Sequence, residues 1–298
     1  MLKPFLLSPR DGVTRGTSGA KRRSAKAAAE HGELAAFRDL FAAAPAELAS
    51  AYGIRAETIR GALCIAIASQ PDSAMWNRAL GVGVDAPATE AGLDEIAAFF
   101  TGLGVEYGIP LYPQAEPPEL ASWLQERGLV QGYPWAKFER GRDDPPEADT
   151  ELRVIRAARE QAWEFGNVVV RGYGTPDFFA DLAAQLPERP GWQCFLAYAG
   201  DEPAATGALY SDGAVGWLGI GATVPTHRRK GAQNALLAAR VRAGVEEGCS
   251  VLVTETGALQ GGRPSNSYRN ILRAGFEQAY VRSNYLSSPE ADTSGTRV

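Results

Sequence analysis

The stretch from Trp217 to Glu247 constrains the fold of this chain more than any other. Val215 to Thr223 read as a strand, Pro225 stops it, and Arg228 to Gln233 form a basic turn. The turn opens into an amphipathic helix over about Ala232–Glu247, with Leu236, Leu237, Val241 and Val245 on its apolar face. A helix N-terminus presents unpaired amide N–H groups and a partial positive charge, so this turn attracts phosphate. Gly231 lets the main chain approach an anion with no side chain in the way, and Arg228, Arg229 and Lys230 add formal charge. The combination suits a pyrophosphate. A surface turn of solvated arginines is the plain alternative, and the strand before and helix after count against it. No G-x-x-x-x-G-K-[ST] is present, and the glycines of GIGATV fall inside the strand. A mononucleotide P-loop and a dinucleotide fingerprint are thereby excluded.

The rest of the sequence bounds the class. Its 298 residues allow two ordinary domains, and 45% apolar with 22% charged residues is a normal globular composition. No apolar run approaches the roughly 20 residues that span a bilayer, so a cytoplasmic chain with no membrane partner is expected. Cys64, Cys194 and Cys249 are scattered, and His31 and His227 are the only histidines, so no metal site is expected. The net charge of -5 hides a basic N-terminus, because residues 1–29 carry about +6 and the remainder about -11. An acidic body does not suit nucleic acid. Residues 1–32 lack apolar periodicity and read as a disordered tail, with a targeting peptide or an expression remnant as alternatives. Residues 289–298 read as a second tail.

Order is expected from about Glu33, where Leu34, Phe37, Leu40 and Phe41 recur at helical spacing. Strands follow near Leu63–Ile67 and Trp76–Val84, then a helix capped by Thr89 with Leu93, Ile96, Phe99 and Phe100 inward. A strand near Ile109–Tyr112, a helix over Glu119–Glu126 and a strand over Tyr133–Phe138 close a first domain, 33–140. The charged, proline-containing segment 141–151 reads as a linker. In a second domain, 152–288, strands are expected at Leu152–Ile155, Gln193–Ala199, Ala204–Tyr210, Ser250–Thr254 and Gln278–Leu286. Helices are expected around Trp163, Phe178–Leu186 and Ser267–Arg273. The halves rhyme at their ends: LASWLQERGLVQGYPWAKFER in one, SYRNILRAGFEQAYVRSNYL in the other, with Gly128 and Gly275 in equivalent places. Internal duplication is the expected cause.

Arg228-x-x-Gly231-x-Gln233 resembles the acyl-CoA loop Q/R-x-x-G-x-G/A of the GCN5-related N-acetyltransferases (GNAT), with Gln233 in place of the usual small residue. RNILRAGF, with Gly275 and Phe276, resembles the family's closing helix and glycine-phenylalanine turn. The resemblance is clear over about residues 152–286 and fainter over 33–140. It implies an α/β fold of two tandem GNAT-like domains, each a twisted mixed sheet flanked by helices. It further implies that acetyl-CoA inserts its pantetheine arm between two splayed parallel strands. Ala222, Thr223 and Val224 would supply main-chain hydrogen bonds to the arm, Arg228 through Gln233, Ala232 included, would hold the pyrophosphate, and Asn266 and Asn270 would pair from the other side.

An amine with a pKa near 10 must lose a proton before it attacks a thioester. Glu255, at the end of the Ser250–Thr254 strand, is the candidate base; an exposed loop carboxylate is the alternative. Ile271 stands where many relatives carry an acid tyrosine, and Tyr268, one turn earlier, is its candidate substitute. In the first half, Asp85 and Glu90 stand where the anion loop would be, so one cofactor per chain is expected. Trp76 and Asn77 are candidates for the substrate pocket, with core packing the safer reading of the tryptophan. The implied activity is acetyl-CoA-dependent N-acetyl transfer to a small-molecule amine in a ternary complex, by a monomer or homodimer. Alternatives are a longer acyl donor, a non-catalytic acyl-CoA-binding regulator and a nucleotide-binding protein.

Overall fold

The computed structural model describes residues 27–259 and 261–288, so the expectations for residues 1–26 and 289–298 lie outside the described residues. The first half contains α1 (Ala28–Ala42), α2 (Ala46–Tyr52), β1 (Ile54–Ile59), β2 (Ala62–Ile67), β3 (Arg78–Leu80), α3 (Glu90–Leu103), β4 (Gly108–Leu111), α4 (Leu120–Glu126), β5 (Val130–Gln131) and β6 (Trp135–Arg140). The second contains β7 (Arg153–Arg156), α5 (Ala162–Tyr173), α6 (Phe178–Ala183), β8 (Trp192–Ala199), β9 (Glu202–Ser211), β10 (Val215–Thr223), α7 (Ala232–Glu246), β11 (Val251–Gly257), α8 (Asn266–Arg273) and β12 (Glu277–Leu286).

Twelve strands form one mixed sheet in the order β1-β2-β3-β4-β12-β6-β11-β10-β9-β8-β7, with β5 beside β12. The pairs β3–β4 and β10–β11 are parallel and every other pair is antiparallel. The closing strands have changed places. β6, from the first half, pairs with β11, while β12, from the second, pairs with β4, and the two pair with each other at the centre. The sheet is therefore continuous across the linker. The rhyme between the halves has a structural counterpart too. Gly128 and Gly275 adopt φ of 83° and 78°, and the next residue of each bonds back into the helix, Leu129 N to Leu124 O and Phe276 N to Ile271 O. Both are glycine C-terminal caps of one type.

Two departures from the expected elements have local causes. Helix α1 begins at Ala28, not near Glu33, because Glu30, Gly32 and Glu33 are buried where the helix crosses β10 and β11. The strand expected over Trp76–Val84 shrinks to Arg78–Leu80, since Gly81 and Gly83 take positive φ and turn the chain. Ile54–Ile59 was not expected as a strand: only Ile54 is buried, and the four residues after it are exposed, which gives little apolar alternation to read.

The sheet separates two apolar layers in the second half. Phe41, Phe165, Val168, Phe178, Trp217 and Val253 pack with α1, α5 and α6 on one side. Phe138, Leu218, Leu236, Val241, Leu252 and Ile271 pack with α7 and α8 on the other. Alternate residues of β6, β10 and β11 thus face opposite layers. On the α1 side lies a buried charge cluster. Arg282 pairs with Glu30 (2.9 Å), with Glu33, and with Glu255 (3.4 Å). Lys137 pairs with Glu33 (2.9 Å) and Glu255 (2.5 Å), and Arg78 lies 3.7 Å from Glu33. Three carboxylates and three cations balance, as buried ions must. Burial alone would raise the Glu33 pKa, but Arg282, Lys137 and Arg78 outweigh it and hold that carboxyl well below the ordinary range.

Removing one partner leaves an uncompensated buried charge, so Arg282→Met should destabilise the protein by about 3–5 kcal/mol at pH 7. Glu33 is an acid with a depressed folded pKa, so its stabilisation is present above the ordinary glutamate value, about 4.3, and is lost as pH falls below it. The gap between wild type and variant in urea unfolding should therefore narrow below about pH 4.3. A loss under about 1 kcal/mol at pH 7 would show that the cluster is not what joins α1 to the sheet.

Candidate active site

β10 and β11 are hydrogen-bonded from Val215↔Val251 to Leu218↔Thr254 and then part. Thr254 Oγ1 donates to Leu218 O at 2.8 Å and closes the apex. Past this point residues 219–223 pair only with β9, and residues 255–257 only with β6. Two strand edges thus face each other across a wedge. The register of β10 shifts between Gly219 and Ala222, where Ile220 has a φ of 52°. Such a bulge bends the strand away from its neighbour. Gly219 permits it, since a Cβ there would lie 1.7–2.3 Å from ring atoms of Trp217. Free main-chain donors and acceptors on a strand edge suit an extended, amide-bearing ligand.

Alternation along β10 decides which residues serve that edge. Val224 N donates to Ala204 O, and Val224 O accepts from His227 N, both at 2.9 Å. Val224 is therefore occupied within the protein, a correction to its expected role. Ala222, two residues away in register with Thr206, directs its main chain to β9 as well, which corrects its role too. Thr223 lies between them and turns its N–H and C=O toward the wedge.

At the mouth of the wedge, Arg228, Arg229 and Lys230 are exposed, and Gly231 is the N-cap of α7 with a φ of 80°. No side chain caps this helix. The first intrahelical bond runs from Ala235 N to Gly231 O, so the amides of Ala232, Gln233 and Asn234 lack helical acceptors. These donors and cations fit a pyrophosphate. The linker crosses this turn, where Thr150 Oγ1 donates to Lys230 O at 2.9 Å. Asn270 Nδ2 donates to Gln233 Oε1 at 2.8 Å, so α8 meets the start of α7. Asn266 is exposed at the start of α8 and accepts from Arg269 at 2.5 Å.

Glu255 lies on the free edge of β11, mostly buried and bonded to Lys137. Burial and the neighbouring Glu33 charge raise its pKa, against the pull of Lys137 and Arg282. The exposed-loop alternative does not hold for it. Tyr268 is corrected out of the site: its hydroxyl donates to Gln278 on β12, and its ring packs edge-on against Phe138 at 4.9 Å. β12 lies two strands from β11, about 10 Å at the usual strand spacing, so that hydroxyl sits away from the wedge. Trp76 packs between Phe178 and Phe179. Asn77 binds Ile67 N and Gln70 O, both at 2.8 Å, so both residues belong to the core.

Sequence reasoning missed Lys137, Tyr173 and Arg240. Lys137 alternates with Ala136 and Phe138 in a strand covered on both sides, and a cation at such a position is itself a signal. Tyr173 ends α5, whose Gly172 lies against Ala222 and Thr223. Its phenol is pushed up to about 12 by burial, with Arg240 opposing and Glu255 adding to the rise. In the first half, Thr89 caps α3 by accepting from Gly92 N at 3.1 Å. There the parallel pair β3–β4 is followed by a loop that Glu116 fills, bonding to Gly83 and Ala88 at 2.8 and 2.7 Å.

A parted parallel pair beside an uncapped helix N-terminus is the arrangement that the resemblance to the GNAT acetyltransferases implied. The family described as "Acetyltransferase (GNAT) domain" matches residues 125–259, from the end of α4 past β11. A GCN5-related N-acetyltransferase from Kribbella flavida is similar in structure (TM-score 0.57, 20% identity, 78% of this chain and 89% of that one). So is a GCN5-related N-acetyltransferase from Sphaerobacter thermophilus (TM-score 0.52, 19% identity, 70% and 69% covered). A tandem GNAT protein from the clavulanic acid biosynthesis pathway aligns with TM-score 0.52 and 13% identity, over 76% and 77% of the two chains. A search of curated proteins found no match. Residues 125–259 of the chain match a GNAT acetyltransferase domain, and the fold is that of the GCN5-related N-acetyltransferases. Among the described residues no helix is long and apolar enough to cross a membrane.

Two variants test these placements. Tyr268→Phe should leave acyl-CoA binding unchanged and lower stability by about 1 kcal/mol, the worth of one hydrogen bond. A side chain at residue 231 meets Asp149 O at 3.0 Å in a left-handed conformation, so Gly231→Val should weaken acetyl-CoA binding by at least about tenfold in calorimetry.

Proposed function

We propose that the protein transfers acetyl from acetyl-CoA directly to a small-molecule amine, both substrates being bound together. The observation that carries this reading is the parted β10–β11 pair opening onto the uncapped start of α7. The pyrophosphate binds at Arg228–Gln233, and the pantetheine arm lies along β10 against Thr223. One cofactor binds per chain, because the corresponding helix start in the first half is capped by Thr89 and its loop is filled by Glu116. The first half supports the site through β6, whose Lys137 holds Glu255.

Glu255 takes a proton from the bound ammonium, directly or through water. Burial and the Glu33 charge make it a stronger base than an exposed glutamate, while Lys137 keeps its position fixed. The freed amine attacks the thioester carbon, the C–S bond breaks with its electron pair leaving on the CoA sulfur, and the surplus proton of the nitrogen passes to that thiolate, giving the amide and the free thiol. A thiol with a pKa near 8.5 is a fair leaving group, so turnover needs no tyrosine at Ile271. No nucleophile of the protein takes part.

A thiol-release assay with acetyl-CoA and a panel of small amines tests the activity. Glu255→Gln should lower kcat by about 10²-fold or more, as expected for losing a general base. The base works ionised, so the wild-type rate should fall as pH drops through the raised Glu255 pKa, and the variant should lack this acid limb. Unchanged kcat and pH profile in Glu255→Gln would remove Glu255 from the mechanism. Release with a long acyl-CoA alone would favour the longer-acyl reading, and binding without turnover would favour a regulator.

A further inference from the structure

Arg240 is a buried cation without a carboxylate. It stands on α7, is 3% exposed, and reaches toward the bulge of β10. Nε donates to Leu236 O at 3.0 Å and Nη1 to Gly219 O at 3.1 Å, both main-chain carbonyls. Among the described residues Nη2 makes no hydrogen bond; it lies 3.6 Å from where a Cβ on the exposed Gly221 would be. By contrast Arg282, also buried, is answered by Glu30, Glu33 and Glu255. Burial lowers the Arg240 pKa to about 10, and only the Tyr173 phenol works against that lowering. Leaving a guanidinium in such a place costs several kcal/mol unless an anion joins it.

Position limits what that anion is. The Arg240 main chain lies eight residues beyond Ala232, about 12 Å along the helix, and its side chain reaches back one turn to Leu236 O, short of the turn assigned to the pyrophosphate. Its guanidinium lies instead against Gly207 of β9 and Gly221 of β10, with Nη1 on Gly219 O, beside the point where β10 leaves β11. A guanidinium N–H gives a carboxylate a charge-assisted hydrogen bond, and Nη2 has such donors open.

We propose that Arg240 is the anion-recognition residue of the wedge and binds a carboxylate carried by one of the two substrates, the acyl chain or the amine. This rests on the reading that acyl-CoA occupies the β10–β11 wedge. Nη2 supplies the open donors, Nη1 remains anchored to Gly219 O, and the glycine at residue 221 leaves the approach clear. The incoming carboxylate neutralises the buried charge, so specificity arises where stability is otherwise lost.

Two probe pairs differing only in a terminal carboxylate distinguish the sources: L-lysine against cadaverine with acetyl-CoA, and succinyl-CoA against butyryl-CoA with cadaverine. In wild type one pair should show a preference of about 10- to 100-fold in kcat/KM for its carboxylated member, the worth of a hydrogen bond to a charged group. Arg240→Gln should bring that preference below about threefold, and Arg240→Lys should keep part of it. Calorimetric dissociation constants for succinyl-CoA and butyryl-CoA give the donor arm a readout independent of turnover. Melting curves check that each variant folds; if Arg240→Gln does not, Arg240→Lys carries the test through its reduced preference. No preference in either pair overturns the proposal, as does one that survives Arg240→Gln. An equal rate loss for all four probes also overturns it, placing the charge on the thioester oxygen instead. Absence of acyl-CoA binding sinks the acetyltransferase reading together with this one, whereas binding without discrimination sinks this one alone.

Discussion

The antiparallel pairing of β6 with β12 holds the two halves of this protein in one sheet. Each of these strands completes the half to which it does not belong in sequence, so neither half has a whole sheet alone. The charge cluster reinforces that arrangement from one side. Glu30 and Glu33 come from α1, Lys137 from β6, Arg282 from β12 and Glu255 from β11, and none of these charges is compensated without the others. A structural constraint and a candidate catalytic group are thereby linked. Glu255 acquires its raised proton affinity from the burial and neighbouring carboxylate that also tie the halves together.

The same sheet explains why one end is open. Thr254 stitches β11 to Leu218 O, and the bulge at Ile220 then turns β10 away. The exposed main-chain edge at Thr223, the unpaired amides at the start of α7 and Glu255 converge on the gap. In the first half the parallel pair is only one residue pair long, and the chain near Glu116 satisfies the polar groups that a ligand would otherwise meet. The two places differ in whether the chain itself fills the opening.

Much of this was legible in the sequence because it rests on short-range physics. The strand Val215–Thr223, the stop at Pro225 and the helix opening at Gly231 follow from local periodicity and turn chemistry. Gly128 and Gly275 announced two equivalent helix ends. The exchange of β6 and β12 was not legible, since a closing strand reads alike whichever sheet it joins. Tyr268 misled for a related reason: helical spacing placed it near the expected acid position, but the hydroxyl direction depends on β12, to which it bonds. Val224 and Ala222 were lost to strand alternation, which a register to β9 fixes and a sequence does not. Lys137 and Arg240 were passed over because a single cation in an apolar stretch looks like a snorkelling side chain until its surroundings are known.

The central claim is that one acyl-CoA occupies the β10–β11 wedge of each chain, and calorimetric titration of the full chain with acetyl-CoA tests it most directly. The account predicts saturable binding at one site per chain. Two sites would show that the loop near Glu116 yields to a second ligand, and no binding at millimolar acetyl-CoA would contradict the acyltransferase reading of the wedge.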